Sequence, residues 1–288
     1  MKRKILLIVI LAAAFLTTLV SRKNLDKSLL GVYIDDKYQE KIPTKDDGYY
    51  VEKVTCDNGA SGTWDYTNWG LFTTNLTKKS KCNIYFKDSA VYDKSDNNFT
   101  AVLKNGASIK TDDNNIKYFS FDGEDDYIEL PTLPANINWA DGFTVEFKAK
   151  WLSPNKWSRI FDFGNGCDSD NIIVSKGGNL DALVLGGRSN ITTTDNDAYL
   201  LNNAGLANLN EFKIEFLKTT DGYQIKTYQN GDLVSTMGRT SSQGFRNIER
   251  TTNYIGKSNW VADKYFCGNI YYLKITDSAG KIILWYEP

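Results

Sequence analysis

The sequence predicts an all-β protein whose main part is a sandwich of two antiparallel sheets. From about residue 116 onward, short runs rich in Tyr, Phe, Ile and Val recur at close intervals, and Gly, Asn and Asp separate them. In one run Phe143, Val145 and Phe147 alternate with polar residues, which is typical of a strand with one buried and one solvated face. No segment after the N-terminal apolar run has a helical period. Two sheets of this kind bury their apolar faces against each other.

The candidate strands of the sandwich follow one another closely, and one pair has a clear hairpin signal. That signal is Asn230-Gly231-Asp232. A sandwich of about 200 residues commonly forms one domain, so we assign residues 89–288 to it. The predicted strands are Tyr118–Phe121, Tyr127–Leu130, Phe143–Trp151, Ile160–Phe163, Ile172–Ser175, Ala182–Leu185, Phe212–Leu217, Tyr223–Gln229, Leu233–Met237, Asn253–Gly256, Tyr265–Thr276 and Ile282–Tyr286.

The N-terminus has the pattern of a targeting segment. Three basic residues lie within Met1–Lys4, and the following Ile5–Val20 contains no charged residue. This run is at the short edge of the roughly 17 to 25 residues of a membrane-spanning helix and exceeds the roughly 7 to 15 of a signal-peptide core. Residues 1–23 are therefore a signal peptide or a signal anchor. The lack of a clear small-residue cleavage site favours an uncleaved hydrophobic anchor helix, and both alternatives predict an extracellular, cell-surface protein.

The composition excludes several classes of function. Because the 288 residues include no histidine, Ser-His-Asp hydrolysis, Cys-His proteolysis and histidine-ligated zinc are excluded. The formal net charge is -1, and no block of Lys and Arg outside the N-terminus is long enough for a phosphate-binding face. We therefore expect no nucleic-acid partner.

Residues 24–88 have the pattern of a small, separate β module. Tyr33-Ile34, Tyr49–Val51 and Ile84–Phe86 are short β-favouring runs, and Asp46-Asp47-Gly48 is one of the turn signals between them. A segment this short buries little apolar surface, so it would gain stability from a covalent cross-link.

The cysteines fall into two pairs by position. An even count in an exported chain favours disulfides, so we predict Cys56–Cys82 in the module and Cys167–Cys267 in the sandwich. Closing loops of about 25 and 100 residues would stabilise the chain by roughly 3 to 5 kcal/mol each in the chain-entropy model. The alternative is that all four thiols are reduced and buried.

Three motifs, in order along the chain, carry a family resemblance. Phe121-Asp122-Gly123 with Asp126-Tyr127 comes first, Gly142–Phe147 follows, and Ile255-Gly256 with Phe266, Gly268 and Ile270 comes last. Together they resemble the laminin-G-like, concanavalin-A-like lectin and glucanase family over about two-thirds of the chain. The resemblance implies an antiparallel jelly-roll sandwich, preceded here by a module similar to those of bacterial surface proteins. It leaves the activity open, because one fold hosts many functions.

Catalysis by paired carboxylates is one function that the resemblance allows. Glucanases of this fold use an E-x-D-x-x-E pattern on one strand, and Glu124–Glu129 has that spacing. However, Asp125 stands where an apolar residue is expected, and Glu124 directly follows a glycine turn. Glu211 and Glu215 would lie about 13 Å apart on a strand, beyond the roughly 5 to 9.5 Å of glycosidase carboxylates. We therefore expect a non-catalytic protein, with a glycoside hydrolase as the minor alternative.

A calcium site at the rim of the sandwich is a second function that the resemblance implies. Related lectins and pentraxins hold calcium through an Asp-Asn pair before one strand and an acidic or amide loop near the end of the domain. Asp170 and Asn171 precede a strand and Asp263 lies in the late loop, so these three are the expected metal ligands. A Cys167–Cys267 disulfide would hold the two loops at a common rim. The alternative is an ordinary turn and a surface charge.

Carbohydrate recognition is expected beside that rim. An indole ring covers sugar C–H groups while nearby amides bind the hydroxyls, and Trp260, Asn259 and Trp157 offer these groups. The alternative for each tryptophan is burial in the core. The sequence thus predicts a membrane-tethered, extracellular, non-catalytic binding or adhesion module whose partner is a glycan, with calcium assisting. The alternative partner is a cell-surface protein, in an adhesion or scaffold role.

Overall fold

The computed structural model describes residues 30–44, 48–57, 61–65, 70–74, 81–187 and 197–288. The predicted anchor helix at residues 1–23 lies outside these ranges. Within them, no helix has both the length and the apolar character that a membrane crossing requires. The described residues form strands and connecting loops, and the helical structure among them is the short 3-10 turn Ser241–Gln243. The predicted all-β class is confirmed.

The chain divides into two compact units, and the first contains the described residues of 30–44 and 53–87. The N-terminal sheet has the strand order β2-β1-β6-β3, and β4 pairs with β5 as a separate hairpin. Strand β1 is antiparallel to β2 but parallel to β6. The strands are β1 (Leu30–Ile34), β2 (Lys37–Gln39), β3 (Tyr49–Cys56), β4 (Ser61–Asp65), β5 (Gly70–Thr74) and β6 (Cys82–Asp88).

A small core holds this first unit together. Val32, Ile84 and Phe86 are buried, and the ring of Trp64 meets Phe86 edge-on with centroids 5.2 Å apart. The Cys56–Cys82 disulfide is present and joins β3 to β6, which are neighbours in the sheet. The apolar runs at residues 33–34, 49–51 and 84–86 thus lie in strands, as the sequence predicts.

The second unit, Gly48–Glu52 with Asp88–Pro288, is a sandwich of two eight-stranded antiparallel sheets. Sheet I has the order β19-β18-β17-β12-β21-β10-β9, and β22 also pairs with β21. Sheet II has the order β16-β15-β14-β13-β20-β11-β8-β7. The strands are β7 (Ala90–Val91), β8 (Ala101–Lys104), β9 (Ser108–Thr111), β10 (Lys117–Asp122), β11 (Tyr127–Leu130), β12 (Gly142–Trp151), β13 (Arg159–Gly164), β14 (Ile172–Lys176), β15 (Ala182–Gly187), β16 (Ala198–Asn202), β17 (Asn210–Thr219), β18 (Gly222–Gln229), β19 (Asp232–Thr240), β20 (Thr252–Ile255), β21 (Cys267–Asp277) and β22 (Ile282–Tyr286).

Aromatic side chains fill the space between the two sheets. In β12 the predicted alternation is observed, because Phe143, Val145 and Phe147 are buried while the residues between them are half-exposed. Phe143 stacks on Phe216 with ring centroids 5.4 Å apart, and Phe147 lies 5.3 Å from Phe212. Each such side chain stabilises the fold by about 1.5–3 kcal/mol relative to exposure. The polar residues that alternate with them in β12 therefore lie on the outer face of sheet I.

The structure corrects the second predicted disulfide, because Cys167 and Cys267 are both free. Cys267 opens β21 in sheet I, opposite Asp122 of β10. Cys167 lies in the exposed loop between β13 and β14 of sheet II, where its thiol contacts Asp168 at 3.3 Å. Cys267 thus lies in a strand of sheet I and Cys167 in a loop between two strands of sheet II, a difference that an even number of cysteines does not reveal.

Candidate functional site

A cleft of about 520 Å³ opens on the outer face of sheet II. Ile173 lies at its base. Its strand neighbours Ile172 and Val174 belong to the core, so the side chain of Ile173 points to the opposite face. The volume is within the range of small-molecule sites, about 300–1,000 Å³. The lining residues are Trp157, Arg159, Asp168, Ile173, Asp197, Tyr199, Trp260 and Asp263.

Trp157 lies in the loop between β12 and β13 and has a backbone φ of 53°. A positive φ costs a bulky residue about 1–3 kcal/mol and persists only where the surrounding structure imposes it. Here Arg159 Nη1 donates a 2.8 Å hydrogen bond to the Trp157 carbonyl. The indole packs beside Gly178, where an added Cβ would lie 3.5 Å from the ring. The side chain is therefore held half-exposed in the wall of the cleft.

Trp260 lies in the loop between β20 and β21 and is also half-exposed. Its backbone N–H donates a 3.1 Å hydrogen bond to Ser258 Oγ. The guanidinium carbon of Arg159 lies 5.4 Å from the centroid of its ring, within the range of a cation–π contact. Both predicted sugar-stacking tryptophans thus line the same cleft.

Arg159 is a buried cation in this wall, with a side chain only 4% exposed. Its Nη2 donates a 2.6 Å hydrogen bond to Asp263 Oδ2, which also accepts one of 2.9 Å from Ser258 Oγ. Its Nε lies 3.6 Å from Asp162 Oδ2. Because a buried charge is stable only when it is paired, these contacts fix Asp263 and the loop that carries Trp260.

Asp162 is a fully buried carboxylate beneath the cleft. Oδ1 accepts hydrogen bonds from the side-chain amides of Asn171 at 2.9 Å and Asn259 at 2.8 Å, and Oδ2 accepts one from the Asn259 backbone at 2.9 Å. Burial raises the pKa of Asp162, while Arg159 and these hydrogen bonds oppose the rise. Asp162 therefore ties the β13–β14 loop and the β20–β21 loop to one point.

Sequence reasoning missed Arg159 and Asp162. The signal was present, because Asp162 interrupts the apolar run Ile160–Phe163 in a strand whose residues are all buried. A carboxylate in the middle of a buried strand requires hydrogen-bond donors or a cation nearby. Its partners were predicted as site residues for other reasons, Asn171 as a metal ligand and Asn259 as a sugar-binding residue.

The residues expected to bind calcium form hydrogen bonds and ion pairs with other side chains of the sandwich. Both carboxylate oxygens of Asp170 accept hydrogen bonds from Arg246, at 2.7 and 2.6 Å. Asp263 is paired with Arg159, and Asn171 is hydrogen-bonded to Asp162. Guanidinium groups therefore contact both carboxylate oxygens of Asp170 and one carboxylate oxygen of Asp263. The structure brings Asn171, Asn259 and Asp263 into one network but turns Asp170 towards Arg246.

The carboxylates of the glucanase-like pattern lie outside the lining of this cleft. Glu124 precedes β11 in a turn, where its N–H donates a 2.8 Å hydrogen bond to Asp122. Glu129 lies within β11 and forms a 2.9 Å ion pair with Lys104. Glu215 pairs with Lys213 at 2.6 Å on sheet I, and Glu211 is on the same strand.

Comparison with known proteins gives one family match and several similar folds. Residues 122–280 match the model of the concanavalin A-like lectin/glucanases superfamily. Domain 4 of AbnA, a GH43 extracellular arabinanase from Geobacillus stearothermophilus in complex with arabinotriose, is 16% identical over 66% of this chain and 91% of its own, with a TM-score of 0.44. The CBM40 of the Ruminococcus gnavus IT-sialidase, bound to α2,3 sialyllactose, is 14% identical over 53% of this chain and 77% of its own, with a TM-score of 0.37. Domains LG4-5 of the mouse laminin α1 chain are 11% identical over 59% of this chain and 41% of theirs, with a TM-score of 0.38.

None of the curated protein sequences matches the chain. The family match, by contrast, covers more than half of it and falls within the sandwich unit. The chain therefore belongs to the concanavalin A-like lectin/glucanases superfamily.

Proposed function

We propose that the sandwich unit is a non-catalytic carbohydrate-binding module and that the cleft on sheet II is its binding site. The observation that carries this proposal is that the half-exposed indoles of Trp157 and Trp260 share one cleft with charged and phenolic side chains. Indole faces bind the C–H faces of sugar rings. Tyr199, which is 39% exposed, adds a third aromatic group to the lining.

The polar part of the lining suits sugar hydroxyls. Asp168, Asp197 and Asp263 bring carboxylates and Arg159 brings a guanidinium to the same cleft. Such groups orient a ligand whose apolar faces are held by aromatic rings. The network around Asp162 already fixes two of the surrounding loops, so ligand binding need not order them.

The proposal places the module outside the cytoplasm. The Cys56–Cys82 disulfide supports an oxidising compartment. The apolar segment within residues 1–23 would direct export and tether the protein to the membrane. The binding proposed here does not depend on calcium at Asp170 or Asp263.

A glycan array probed with the purified full chain tests the proposal. We expect saturable binding to at least one glycan, with and without a calcium chelator, and loss of that binding in Trp260→Ala. Trp285→Ala is the matched control, because Trp285 is a half-exposed tryptophan on β22 of sheet I. Equal loss in both variants, or no binding across a broad array, contradicts the proposal. Cleavage of a bound glycan that Asp263→Asn abolishes would replace it with a glycoside hydrolase.

Binding of a protein partner is the second candidate function, and one observation favours it. Val261, next to Trp260, is fully exposed. The apolar surface of this side chain would be removed from water by contact with a protein surface beside the cleft. Val261→Asp would then weaken binding to a cell-surface protein while leaving glycan binding unchanged.

A further inference from the structure

A second aromatic patch lies on the outer face of sheet II, beside the cleft. It consists of the half-exposed side chains of Tyr127 in β11, Tyr254 in β20 and Tyr265 in the loop before β21. The strand neighbours Ile128 and Ile255 belong to the core, so the first two phenol rings point to the opposite face. The ring of Tyr127 meets that of Tyr254 edge-on with centroids 5.6 Å apart, and it lies 6.4 Å from the ring of Tyr265. The three tyrosines are outside the cleft lining.

The register of sheet II places this patch close to the cleft. Ile173, at the base of the cleft, pairs with Asp162, and Asp162 pairs with Tyr254. These residues form a row across β14, β13 and β20. Because neighbouring strands lie about 4.8 Å apart, the Cα atom of Tyr254 is about 10 Å from that of Ile173. This distance exceeds the width of one sugar ring, but a short chain of linked rings spans it.

The segment Lys257–Trp260, which we call the ridge, separates the patch from the cleft. Asn259 holds the ridge over Asp162, because its side-chain amide and its backbone N–H donate hydrogen bonds of 2.8 and 2.9 Å to that carboxylate. At one end of the ridge, Trp260 lines the cleft. The other end begins at Lys257, whose side chain belongs to the patch. One fixed segment thus presents side chains to both places.

Lys257 is the member of the patch whose surroundings point to a ligand. Its ammonium lies 4.2 Å from the ring centroid of Tyr127 and 4.4 Å from that of Tyr254, and it forms no ion pair among the described residues. Burial lowers the pKa of Lys257, and the charge of Glu129 opposes this effect. Glu129 itself is paired with Lys104 at 2.9 Å. The ammonium of Lys257 therefore has hydrogen-bond donors to offer a ligand.

The phenolic hydroxyls of the patch add further hydrogen-bonding groups. In the part of the chain that the structure describes, none of the three hydroxyls has a hydrogen-bond partner, and none is sealed from solvent. Burial, followed by the charge of Glu129, raises the pKa of Tyr127 to about 12, so this hydroxyl is a donor at neutral pH. The patch thus combines aromatic surface with convergent polar groups, a combination that suits a sugar.

We propose that Tyr127, Tyr254 and Lys257 form a second sugar subsite and that the glycan in the cleft is an oligosaccharide that crosses the ridge. This inference rests on the proposed function of the cleft. One ring of the oligosaccharide would stack in the cleft, and a later ring would lie on the tyrosines with its hydroxyls bound by the ammonium. Because the first contact holds the second ring nearby, the second contact raises affinity at little further cost. A monosaccharide cannot make both contacts.

Isothermal titration of the purified full chain with linear oligosaccharides, from the disaccharide to the hexasaccharide, tests the subsite. The probes are oligomers of glucose, of N-acetylglucosamine and of galacturonate. In the series that binds most tightly, we expect the hexasaccharide to bind the wild type about tenfold or more tightly than the disaccharide does. Tyr254→Ala should reduce that ratio by about fivefold or more, whereas Trp260→Ala should weaken the binding of both oligomers.

Lys257→Met separates a ligand contact from a folding defect, because methionine keeps an apolar chain over the rings and removes only the ammonium. It should reduce the ratio by about threefold or more. The matched controls lie on sheet I. Lys274→Met removes an ammonium that also lies over an aromatic ring, and Tyr118→Ala removes a half-exposed tyrosine of β10. Both controls should keep the wild-type ratio.

The outcomes that would overturn the subsite also separate it from the proposed function. If affinity does not rise with chain length, or if Tyr254→Ala and Lys257→Met keep the wild-type ratio, the second subsite is absent. Binding that Trp260→Ala abolishes would then still support the cleft. If none of the oligosaccharide series binds, both the subsite and the proposed function of the cleft are contradicted.

Discussion

Arg159, at the start of β13, donates a 2.6 Å hydrogen bond to Asp263, 104 residues later in the chain. The same side chain lies against the ring of Trp260 and bonds to the carbonyl of Trp157. One buried guanidinium thus connects both tryptophans of the cleft. The cleft geometry therefore depends on this contact.

Arg159→Met should destabilise the protein by about 3–5 kcal/mol, because it leaves the buried Asp162 and the largely buried Asp263 without their cation. Urea unfolding followed by tryptophan fluorescence measures the loss. Lys274→Met is the matched control, since its pair with Glu146 is about one-third exposed and should contribute no more than about 1 kcal/mol. Similar losses in the two variants would show that the Arg159 network does not hold the cleft together.

The backbone of Trp157 offers a test of strain at the cleft. Trp157→Gly and Trp157→Ala remove the same indole, but only glycine adopts a φ of 53° without steric cost. The glycine variant should therefore be more stable than the alanine variant by about 1–2 kcal/mol. Both should lose glycan binding in calorimetry. Equal stability of the two would mean that the loop relaxes and that Trp157 is not strained.

The free thiol of Cys167 should react slowly at neutral pH. Partial burial, followed by the hydrogen bond and charge of Asp168, raises the pKa of this thiol to about 11. Because the thiolate is the reactive form, alkylation should speed up about tenfold per pH unit below that value. Mass spectrometry of iodoacetamide-treated protein measures the alkylated fraction of the peptide that contains Cys167. Asp168→Asn should accelerate it, and an unchanged rate would contradict the assigned cause.

Stability should fall with rising pH because of Asp126. The pKa of this carboxyl is about 7 in the folded chain and 3.8 in the absence of the fold. Between these two pKa values the folded state binds more protons than the unfolded state. The contribution of Asp126 to the free energy of unfolding is therefore fully present below pH 3.8 and is lost as the pH rises through 7. The loss is up to about 4 kcal/mol. Urea unfolding in chelator should show this slope in the wild type, whereas a slope of the same size in Asp126→Asn would contradict it.

Local periodicity was sufficient to predict the sandwich. The alternation in β12 and the hairpin at Asn230-Gly231 depend on neighbours a few residues away, and the structure places both as expected. The parallel pairing of β1 with β6 was not predictable in this way, because those strands are about 50 residues apart and no local signal sets their direction.

The candidate site was predicted in part. Trp157 and Trp260 were identified by residue type, and the structure brings both to one cleft. The pairing of Asp170 with Arg246, 76 residues away, was not predicted, because sequence alone does not show which charges meet. The Cys167–Cys267 disulfide was predicted from the even number of cysteines, and that number carries no information on the distance between the two residues.

The central claim is that the indoles of the sheet II cleft bind a sugar. Isothermal titration of the full chain with the strongest glycan from the array measures this directly. We expect Trp260→Ala and Trp157→Ala each to weaken binding by about tenfold or more, while Trp285→Ala should bind as the wild type does. Wild-type affinity in both cleft variants would contradict it.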